Sequence, residues 1–498
     1  MMNSAIDFSN STFTLLFNQT KCELLMKKIL LTLIISILLI PNFSFAQTKV
    51  YTLDDAISTA LSNNREIAVS VLNTKKSEAA VNEAYGYAMP TIDLNANYSH
   101  FLEKPKMPFP DFTALLTNAT YSILFDEGVI PRDDSKFVPV ETQLQSFAQS
   151  NNYEASLTLT QIIFSSTVFE GIGASQTYYD LAVAELNNQV SKTVLDVQKA
   201  FYGVLLAKAV LDITNSSFEN ARENFDNVKA LYEVGLVAEF DMLQAEVQVE
   251  NIRPVVLRME NVLKNAKDGF KIVMGIDQSA DVDVSGEIVL EPLDISHEEE
   301  MIEEAMQSNF NIKSLELKKQ VDEAFIQIDV SRYWPTLAGF ANYTYAGSSD
   351  AWDYQNYSYS TIGLSLSMNL WEGNRTKNKV EQSTITFKQT EEQLLQLKDY
   401  TTLEVKAKVM ELNRVKSLVD VQERTVEIAQ RAYDIAEIRY EEGTGSQLEI
   451  RNADQELRNA RLNRVQSIHS YLVTKYELDQ LLGRTDPKYF AQFNKDEN

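Results

Sequence analysis

The sequence predicts a mainly α-helical fold with membrane β-strands, built on a duplicated helix-strand-strand-helix plan. Three observations point to this fold class. The chain contains an internal repeat, each copy has two segments with strand-like alternation, and each copy continues into a long helical segment without proline. Helices of globular proteins average about 10–14 residues, so segments of roughly 60 residues predict rods or tubes instead of a compact core.

The internal repeat is read from two matched segments. Residues 53–98 match residues 298–343 without a gap, and residues 232–235 (YEVG) resemble residues 440–443 (YEEG). The offset between the copies is smaller in the second match, which places extra residues in the first copy. We assign them to residues 102–152, which are rich in proline and polar residues and read as a loop that we predict faces the exterior.

The repeat sets the predicted domain boundaries. They are an N-terminal segment at 1–46, a first repeat at 47–287 with a β-hairpin at about 91–164 and long helices at about 167–274, a second repeat at 288–485 with a β-hairpin at about 336–371 and long helices at about 373–484, and a C-terminal tail at 486–498.

The N-terminal segment has the pattern of a signal peptide. Lys27 and Lys28 precede an apolar run over residues 29–40, which is shorter than the ~20 residues of a membrane-spanning helix. Residues 44–46 (SFA) offer small side chains for cleavage, so we expect a mature chain from Gln47 and regard residues 1–25 as an over-long gene start. The single cysteine of the chain lies in this segment, so no disulfide or cysteine-borne lipid anchor is expected.

The composition excludes several functions. The formal net charge is −25, with 70 acidic and 45 basic residues, which argues against nucleic acid and fits either a soluble surface or a cation-preferring aqueous lumen. His100, His297 and His469 share no metal-ligand spacing, and no glycine-rich phosphate loop follows a strand. We therefore expect no enzyme activity and no catalytic, cofactor or metal site.

The predicted strands alternate cleanly. On the first, Ile92, Leu94, Ala96 and Tyr98 share one face, and the polar face carries small residues. A half-buried soluble sheet would alternate in the same way. A length of about ten residues and aromatic side chains near the strand ends instead favour tilted membrane strands with an interfacial belt. The predicted belt residues are Tyr98, Phe101, Phe164, Tyr343, Tyr345 and Trp371.

The predicted long helices run from about 169 to 232 and from about 375 to 440, with apolar residues at the three- and four-residue steps of a coiled-coil seam. Each would be about 90–100 Å long. Gly235 and Gly443 are predicted C-caps that end these helices. Shorter helices should follow, and Pro254 should kink the first of them.

These features resemble the TolC-like outer membrane efflux protein family over about residues 51–483. The resemblance rests on the two Tyr-x-x-Gly turns, the residues 240–245 (FDMLQA) and 448–450 (LEI) that follow them, and the helix-to-strand prolines Pro90 and Pro335. It implies a homotrimer with an α-barrel that spans the periplasm. Four strands cannot close a barrel, whereas three chains would supply a 12-stranded one.

The resemblance also implies sites at the helix ends. The tips would contact a periplasmic adaptor (membrane fusion) protein that connects to an inner-membrane pump, and the closed entrance would lie beside them. The implied adaptor-contacting residues are Val234, Gly235, Leu236, Gly443, Thr444 and Gly445, and the implied entrance residues are Tyr440, Glu449, Asn452 and Asp241.

The entrance departs from the family pattern at two positions. Glu449 matches the first family acid, but Asn452 stands where a second acid often lies, and Gly445 replaces a basic residue of the closing network. Our hypothesis is that Glu449, repeated by threefold symmetry, narrows and charges the entrance. The alternative is that Glu449 is an ordinary exposed acid on the helix surface.

The function that follows is the outer-membrane channel component of a tripartite efflux or type I secretion system. It would be a passive exit duct from the periplasm to the exterior, with transport driven by the pump. The alternative is a soluble periplasmic coiled-coil scaffold or adaptor, which would explain the export signal and the helices but not the paired hairpins. A barrel would require detergent for extraction, whereas a scaffold would leave cells in the periplasmic extract.

Overall fold

The computed structural model describes residues 48–493, and the predicted signal peptide lies outside them. The helices within this range are α1 (Leu53–Asn63), α2 (Arg65–Gly86), α3 (Phe112–Asp126), α4 (Ser166–Glu233), α5 (Glu239–Met274), α6 (Glu298–Ser308), α7 (Phe310–Ser331), α8 (Arg375–Glu441) and α9 (Gln447–Leu481). The strands are β1 (Lys49–Tyr51), β2 (Thr91–His100), β3 (Met107–Pro110), β4 (Thr142–Gln145), β5 (Asn151–Phe164), β6 (Val282–Val284), β7 (Thr336–Ser349) and β8 (Gln355–Ser367).

The predicted mainly α-helical fold on a duplicated plan is confirmed. Each half has two short helices, a pair of antiparallel strands, a helix of 68 or 67 residues, a tight turn and a helix of 36 or 35 residues. Pro254 lies inside α5, which continues past it without a break. None of the helices in residues 48–493 is long and apolar enough to cross a membrane.

The main sheet has four antiparallel strands in the order β2-β5-β7-β8. The pairing of β5 with β7 joins the two halves, and β2 and β8 form the two edges. The strands have 10, 14, 14 and 13 residues, so three of them are longer than the predicted ten. The apolar residues of the edge strands are exposed, with Ile92 at 68% and Ile362 at 86%.

Two predicted strand boundaries in the second half are wrong. The last strand ends at Ser367 instead of about 371, because Ser367 pairs with Thr336 and the preceding Pro335 has no amide hydrogen to extend the ladder. The strand before it continues to Ser349. Phe340 of this strand lies over Gly363, where an added Cβ would come within 2.8 Å of the ring. The aromatic ring therefore covers the surface that the glycine leaves open.

The prediction that residues 102–152 form a loop is also wrong. This insertion contains the helix α3 and the antiparallel pair β3–β4. The inner side of the helix packs through Phe125 against Phe137, with ring centroids 5.8 Å apart, and Asn118 bonds to the backbone of Val138. The flanking prolines and polar residues suggested a loop, but the apolar residues between them suffice for a small folded unit.

The largest core surrounds the middle of the long helices, and equivalent contacts occur there in both halves. Asn64 donates a hydrogen bond to Val273 O at 3.0 Å, and Asn309 donates one to Leu481 O at 2.9 Å. Each asparagine also caps the helix that follows it. Within each half, these contacts fix the short N-terminal helices against the end of the last long helix.

Candidate functional site

The two helix pairs end in similar tight turns, which we call the first tip (residues 234–237) and the second tip (residues 442–445). Gly235 and Gly443 have φ values of +77° and +72°, the left-handed conformation that glycine adopts without a steric penalty. At the first tip the amide of Leu236 donates to Leu231 O, and at the second the amide of Thr444 donates to Arg439 O. The predicted glycine caps are confirmed as turns of this type.

The surfaces of the two tips differ in polarity. The first tip and the start of α5 expose large apolar side chains, with Val234 at 69%, Leu236 at 71% and Phe240 at 67%. The second tip is polar, and Arg439 and Glu449 form an ion pair of 3.4 Å beside it. An apolar tip next to a charged one gives this end of the molecule two chemically distinct surfaces.

The predicted entrance residues lie on three helices near the tips. Glu449 is in the first turn of α9. The hydroxyl of the N-cap residue Ser446 accepts a hydrogen bond from the Glu449 amide, and the helix dipole favours a negative charge at this end of the helix. Asn452 is exposed on the same helix. Burial raises the pKa of the Tyr440 phenol, and the charge of Asp241 adds to this effect, whereas the nearby Gln447 side chain opposes it. The structure thus brings Tyr440 close to Asp241 of the other half.

Buried and half-buried polar side chains connect the two helix pairs near the tips, and these pairings were not predicted from the sequence. The amide groups of Asn224 and Gln447 exchange hydrogen bonds of 2.8 and 3.2 Å, and Ser217 bonds to Asp454. One feature of the sequence could have indicated the Ser217–Asp454 pair. Asp454 follows Ile450 by four residues in the apolar seam of α9, where a buried polar side chain needs a hydrogen-bond partner.

A polar cavity of about 870 Å³ lies between the helix pairs next to these bonds. Its walls include Glu223 of α4 and Tyr433 and Glu437 of α8. Burial raises the pKa of Glu437, and the nearby charges of Glu441, Asp434 and Glu223 raise it further. Burial also raises the pKa of Tyr433 to about 12. The gap between the helix pairs is therefore lined by acids that repel one another.

The predicted aromatic belt residues occupy several levels of the sheet. Tyr98 stacks on Trp352 beside the end of β2, Phe101 follows that strand, and Phe164 contacts Phe169 at the opposite end. Tyr343 and Tyr345 are interior positions of β7, and Trp371 lies beyond the end of β8. The expectation that Tyr343 and Tyr345 mark a strand end is wrong, because the strand continues to Ser349.

Further aromatic residues, which were not predicted from the sequence, lie at the far end of the sheet. Tyr153 contacts Tyr345 and Tyr354, and Tyr357 stacks on Tyr359. Residues 48–493 contain no group of three or more histidine, cysteine, aspartate or glutamate side chains arranged to hold a metal ion.

Solved structures of outer-membrane channels share this architecture. The chain is similar to the Campylobacter jejuni CmeC outer membrane channel, with a TM-score of 0.69, 14% identity and 90% of each chain covered. It is also similar to the open state of the Neisseria gonorrhoeae MtrE outer membrane channel, with a TM-score of 0.66, 12% identity and coverage of 86% of this chain and 88% of that one. These similarities confirm the predicted fold class of an α-barrel and β-barrel protein.

Sequence comparison identifies the family. Residues 108–271 and 301–484 match the family described as "Outer membrane efflux protein". Outer membrane protein TolC of Salmonella enteritidis is 24% identical over 355 residues (69% of this chain and 72% of the relative), and TolC of Escherichia coli strain K12 is 22% identical over 358 residues, with the same coverage. The chain belongs to the outer membrane efflux protein family. Its predicted function as an outer-membrane efflux channel is confirmed, and the family is one of channel proteins, not enzymes.

Proposed function

We propose that three copies of this chain form one continuous exit duct across the outer membrane and the periplasm. The observation that carries this proposal is the four-stranded sheet with two unpaired edges, β2 and β8. Exposed sheet edges invite pairing, and four strands are too few to close on themselves. Pairing of β8 in one copy with β2 in the next would close a barrel of 12 strands, with the exposed apolar face toward lipid.

The helices supply the periplasmic part of the proposed duct. The 68 residues of α4 extend about 100 Å at 1.5 Å per residue, and α8 is almost as long. Both begin close to the strands of the main sheet and end at the tips, so the sheet and the tips lie at opposite ends of the helices. Three such sets of helices would surround a tube that carries cargo from the periplasm to the barrel.

The tips are the proposed contact with a periplasmic adaptor protein, which connects the duct to an inner-membrane pump. The exposed Val234 and Leu236 support this role, since apolar side chains at the end of a solvated helix pair are suited to a partner surface. The polar second tip, with Gly443, Thr444 and Gly445, would provide the adjoining contact. The pump supplies the energy, and the duct itself is passive in efflux or type I secretion.

The mass of the assembly tests this proposal. Protein extracted from outer-membrane fractions in mild detergent should have a protein mass of three chains by light scattering. The same sample should form water-filled channels in planar bilayers. Recovery of a monomer or dimer in the soluble periplasmic extract would overturn the duct and leave the coiled-coil scaffold as the better explanation.

The entrance is a further part of the proposal. We place Glu449 of the three copies at the narrow periplasmic end, together with Tyr440, Asn452 and Asp241. Three carboxylates around a narrow opening attract multivalent cations, which should block the channel from that side. Glu449→Ala should raise conductance and weaken the block, and Glu299→Ala, which removes an exposed acid on α6 far from the tips, should change neither. Unchanged conductance and block in Glu449→Ala would rule out this position for Glu449.

A further inference from the structure

Arg439 holds the second tip through both its backbone and its side chain. Its carbonyl oxygen accepts hydrogen bonds from the Thr444 amide at 2.8 Å, from the Gly445 amide at 2.9 Å and from the Thr444 hydroxyl at 3.2 Å. Its guanidinium group donates to Thr444 O at 3.1 Å and lies 3.4 Å from the carboxylate of Glu449. One side chain on α8 therefore fixes the turn and reaches the first turn of α9.

The first tip has no equivalent arrangement. Leu231 occupies the position that Arg439 has in the other half, and its carbonyl accepts the Leu236 amide at 2.9 Å. Among the ion pairs of residues 48–493, none connects the end of α4 to the start of α5. The cross-turn ion pair is thus a feature of the second tip and is not a general requirement of this type of turn.

Gly445 and Arg439 depend on each other sterically. A Cβ atom at residue 445 would lie 3.0 Å from Tyr440 N and 3.1 Å from both the carbonyl carbon and the Cβ of Arg439. Such distances are tighter than ordinary carbon contacts, so a side chain here would displace Arg439 or the turn. The lack of a basic side chain at position 445 and the use of Arg439 from α8 are therefore two parts of one arrangement.

We propose that Arg439 is a positioning residue that sets the effective charge of the entrance by pairing with Glu449. The inference rests on the proposed entrance role of Glu449. With Arg439 in place, each Glu449 carboxylate is partly neutralised and held against its own tip. Without Arg439, three free carboxylates would face the opening and bind cations more tightly. Because the two side chains are half-exposed, the effect of one pair on the charge of the entrance is modest. In a trimer with threefold symmetry the pair occurs three times, which makes the total effect larger.

The test compares block by hexaamminecobalt(III) in planar bilayers for trimers of the wild type, Arg439→Gln, Glu449→Gln and the double variant. Arg439→Gln should lower the blocking concentration by about threefold or more, since each copy gains an unpaired charge. The double variant should match Glu449→Gln alone. Arg451→Gln removes a half-buried positive charge from α9, the helix that carries Glu449, and serves as the control for loss of a positive charge, with block expected to stay at the wild-type level.

The outcomes separate this inference from the function on which it rests. If Glu449→Gln leaves the block unchanged, the entrance role of Glu449 fails. If Glu449→Gln weakens the block but Arg439→Gln does not tighten it, or Arg451→Gln tightens it equally, the role of Arg439 is overturned. Gly445→Ala provides a second variant should Arg439→Gln not assemble. It displaces Arg439 and should tighten the block in a manner that Glu449→Gln abolishes.

Discussion

The hydroxyl of Ser217 donates a 2.7 Å hydrogen bond to the carboxylate of Asp454, and both side chains are buried. The bond joins α4 of the first half to α9 of the second, 237 positions apart. Arg458 and Arg461 lie near enough to attract the carboxylate. This contact crosses the gap between the two helix pairs on the tip side of the main core, so moving the helix pairs apart to widen the proposed entrance would break it.

Asp454→Asn should preserve stability at neutral pH or increase it. Burial raises the pKa of Asp454 above its ordinary value of 3.8, although the Ser217 hydrogen bond and the two arginines oppose the shift. A carboxyl group whose pKa is higher in the folded state contributes stability fully below the unfolded pKa, and this contribution is lost as pH rises through the folded pKa. Thermal unfolding followed by helical circular dichroism should show any advantage of the asparagine variant at pH 7 shrinking toward pH ~4.

Ser217→Ala is the companion variant for this contact. It leaves Asp454 buried without its hydroxyl donor and should lower the free energy of unfolding by about 1–2 kcal/mol at neutral pH. A variant as stable as the wild type would show that the Ser217 bond contributes nothing. A clear loss of stability in Asp454→Asn at pH 7 would show that the negative charge itself is required.

Glu477→Gln should have the opposite pH behaviour. Glu477 lies 2.6 Å from Lys199 and 2.5 Å from Lys408, so it joins three long helices. Burial pushes its pKa upward, but the hydrogen bonds and charges of the two lysines outweigh this and hold the pKa below its usual range. Its contribution is therefore present above the unfolded pKa and is lost as pH falls through the folded pKa.

At pH 7 Glu477→Gln should lower the free energy of unfolding by about 2 kcal/mol, and the difference from the wild type should disappear below pH ~4. The measurement is the same thermal unfolding series. Glu456→Gln, an exposed acid on the same helix, should change stability little at any pH. An equal loss in the two variants would indicate a general charge effect and not the bridge between Lys199 and Lys408.

Glycine substitutions should separate two kinds of turn. Gly275 has φ +68°, and an added Cβ would lie 2.5 Å from Asn63 O; Gly483 in the other half has φ +71° and faces the Ser308 carbonyl in the same way. Alanine at either position would be strained in the left-handed conformation and would also clash with the neighbouring backbone. It should lower the free energy of unfolding by more than about 2 kcal/mol. A Cβ atom at Gly235 or Gly443 would have no atom within contact distance, so Gly235→Ala and Gly443→Ala should lower the free energy of unfolding by only about 1 kcal/mol.

Chemical denaturation of the four alanine variants tests this order. The tip glycines serve as the matched controls, because they share the left-handed conformation but not the close approach to another backbone. Similar losses at all four positions would mean that the backbone conformation alone sets the cost. The contact between Gly275 and the Asn63 carbonyl would then carry no additional constraint.

The sequence predicted the helices well because their signals are local. The apolar seam, the absence of proline and the glycines at 235 and 443 are properties of neighbouring residues, and the predicted limits of the long helices agree with the structure within a few residues. The strand ends at Ser349 and Ser367 depend on the register between β7 and β8. Alternation within a single strand cannot supply that register.

The candidate site was predictable only in part for a similar reason. The resemblance identified Glu449 and Tyr440 by their distance from Gly443 along the chain. The contacts of Arg439 depend on how the turn folds back, and the pairing of Ser217 with Asp454 depends on how two distant helices pack. Neither has a local signal beyond a polar residue in an apolar seam. The folded insertion was missed because its apolar helix lies between prolines.

The two ends of the proposed duct should lie on opposite sides of the outer membrane. The only cysteine of the chain is expected to leave with the signal peptide, so single cysteines can be introduced as labels. Leu116→Cys places one on α3 of the insertion, and Leu236→Cys places one on the first tip; these positions are 54% and 71% exposed. A membrane-impermeant maleimide should label residue 116 in intact cells and residue 236 only after the outer membrane is permeabilised. Equal labelling of both in intact cells would contradict the periplasmic position of the tips, whereas protection of residue 116 would contradict an exterior insertion.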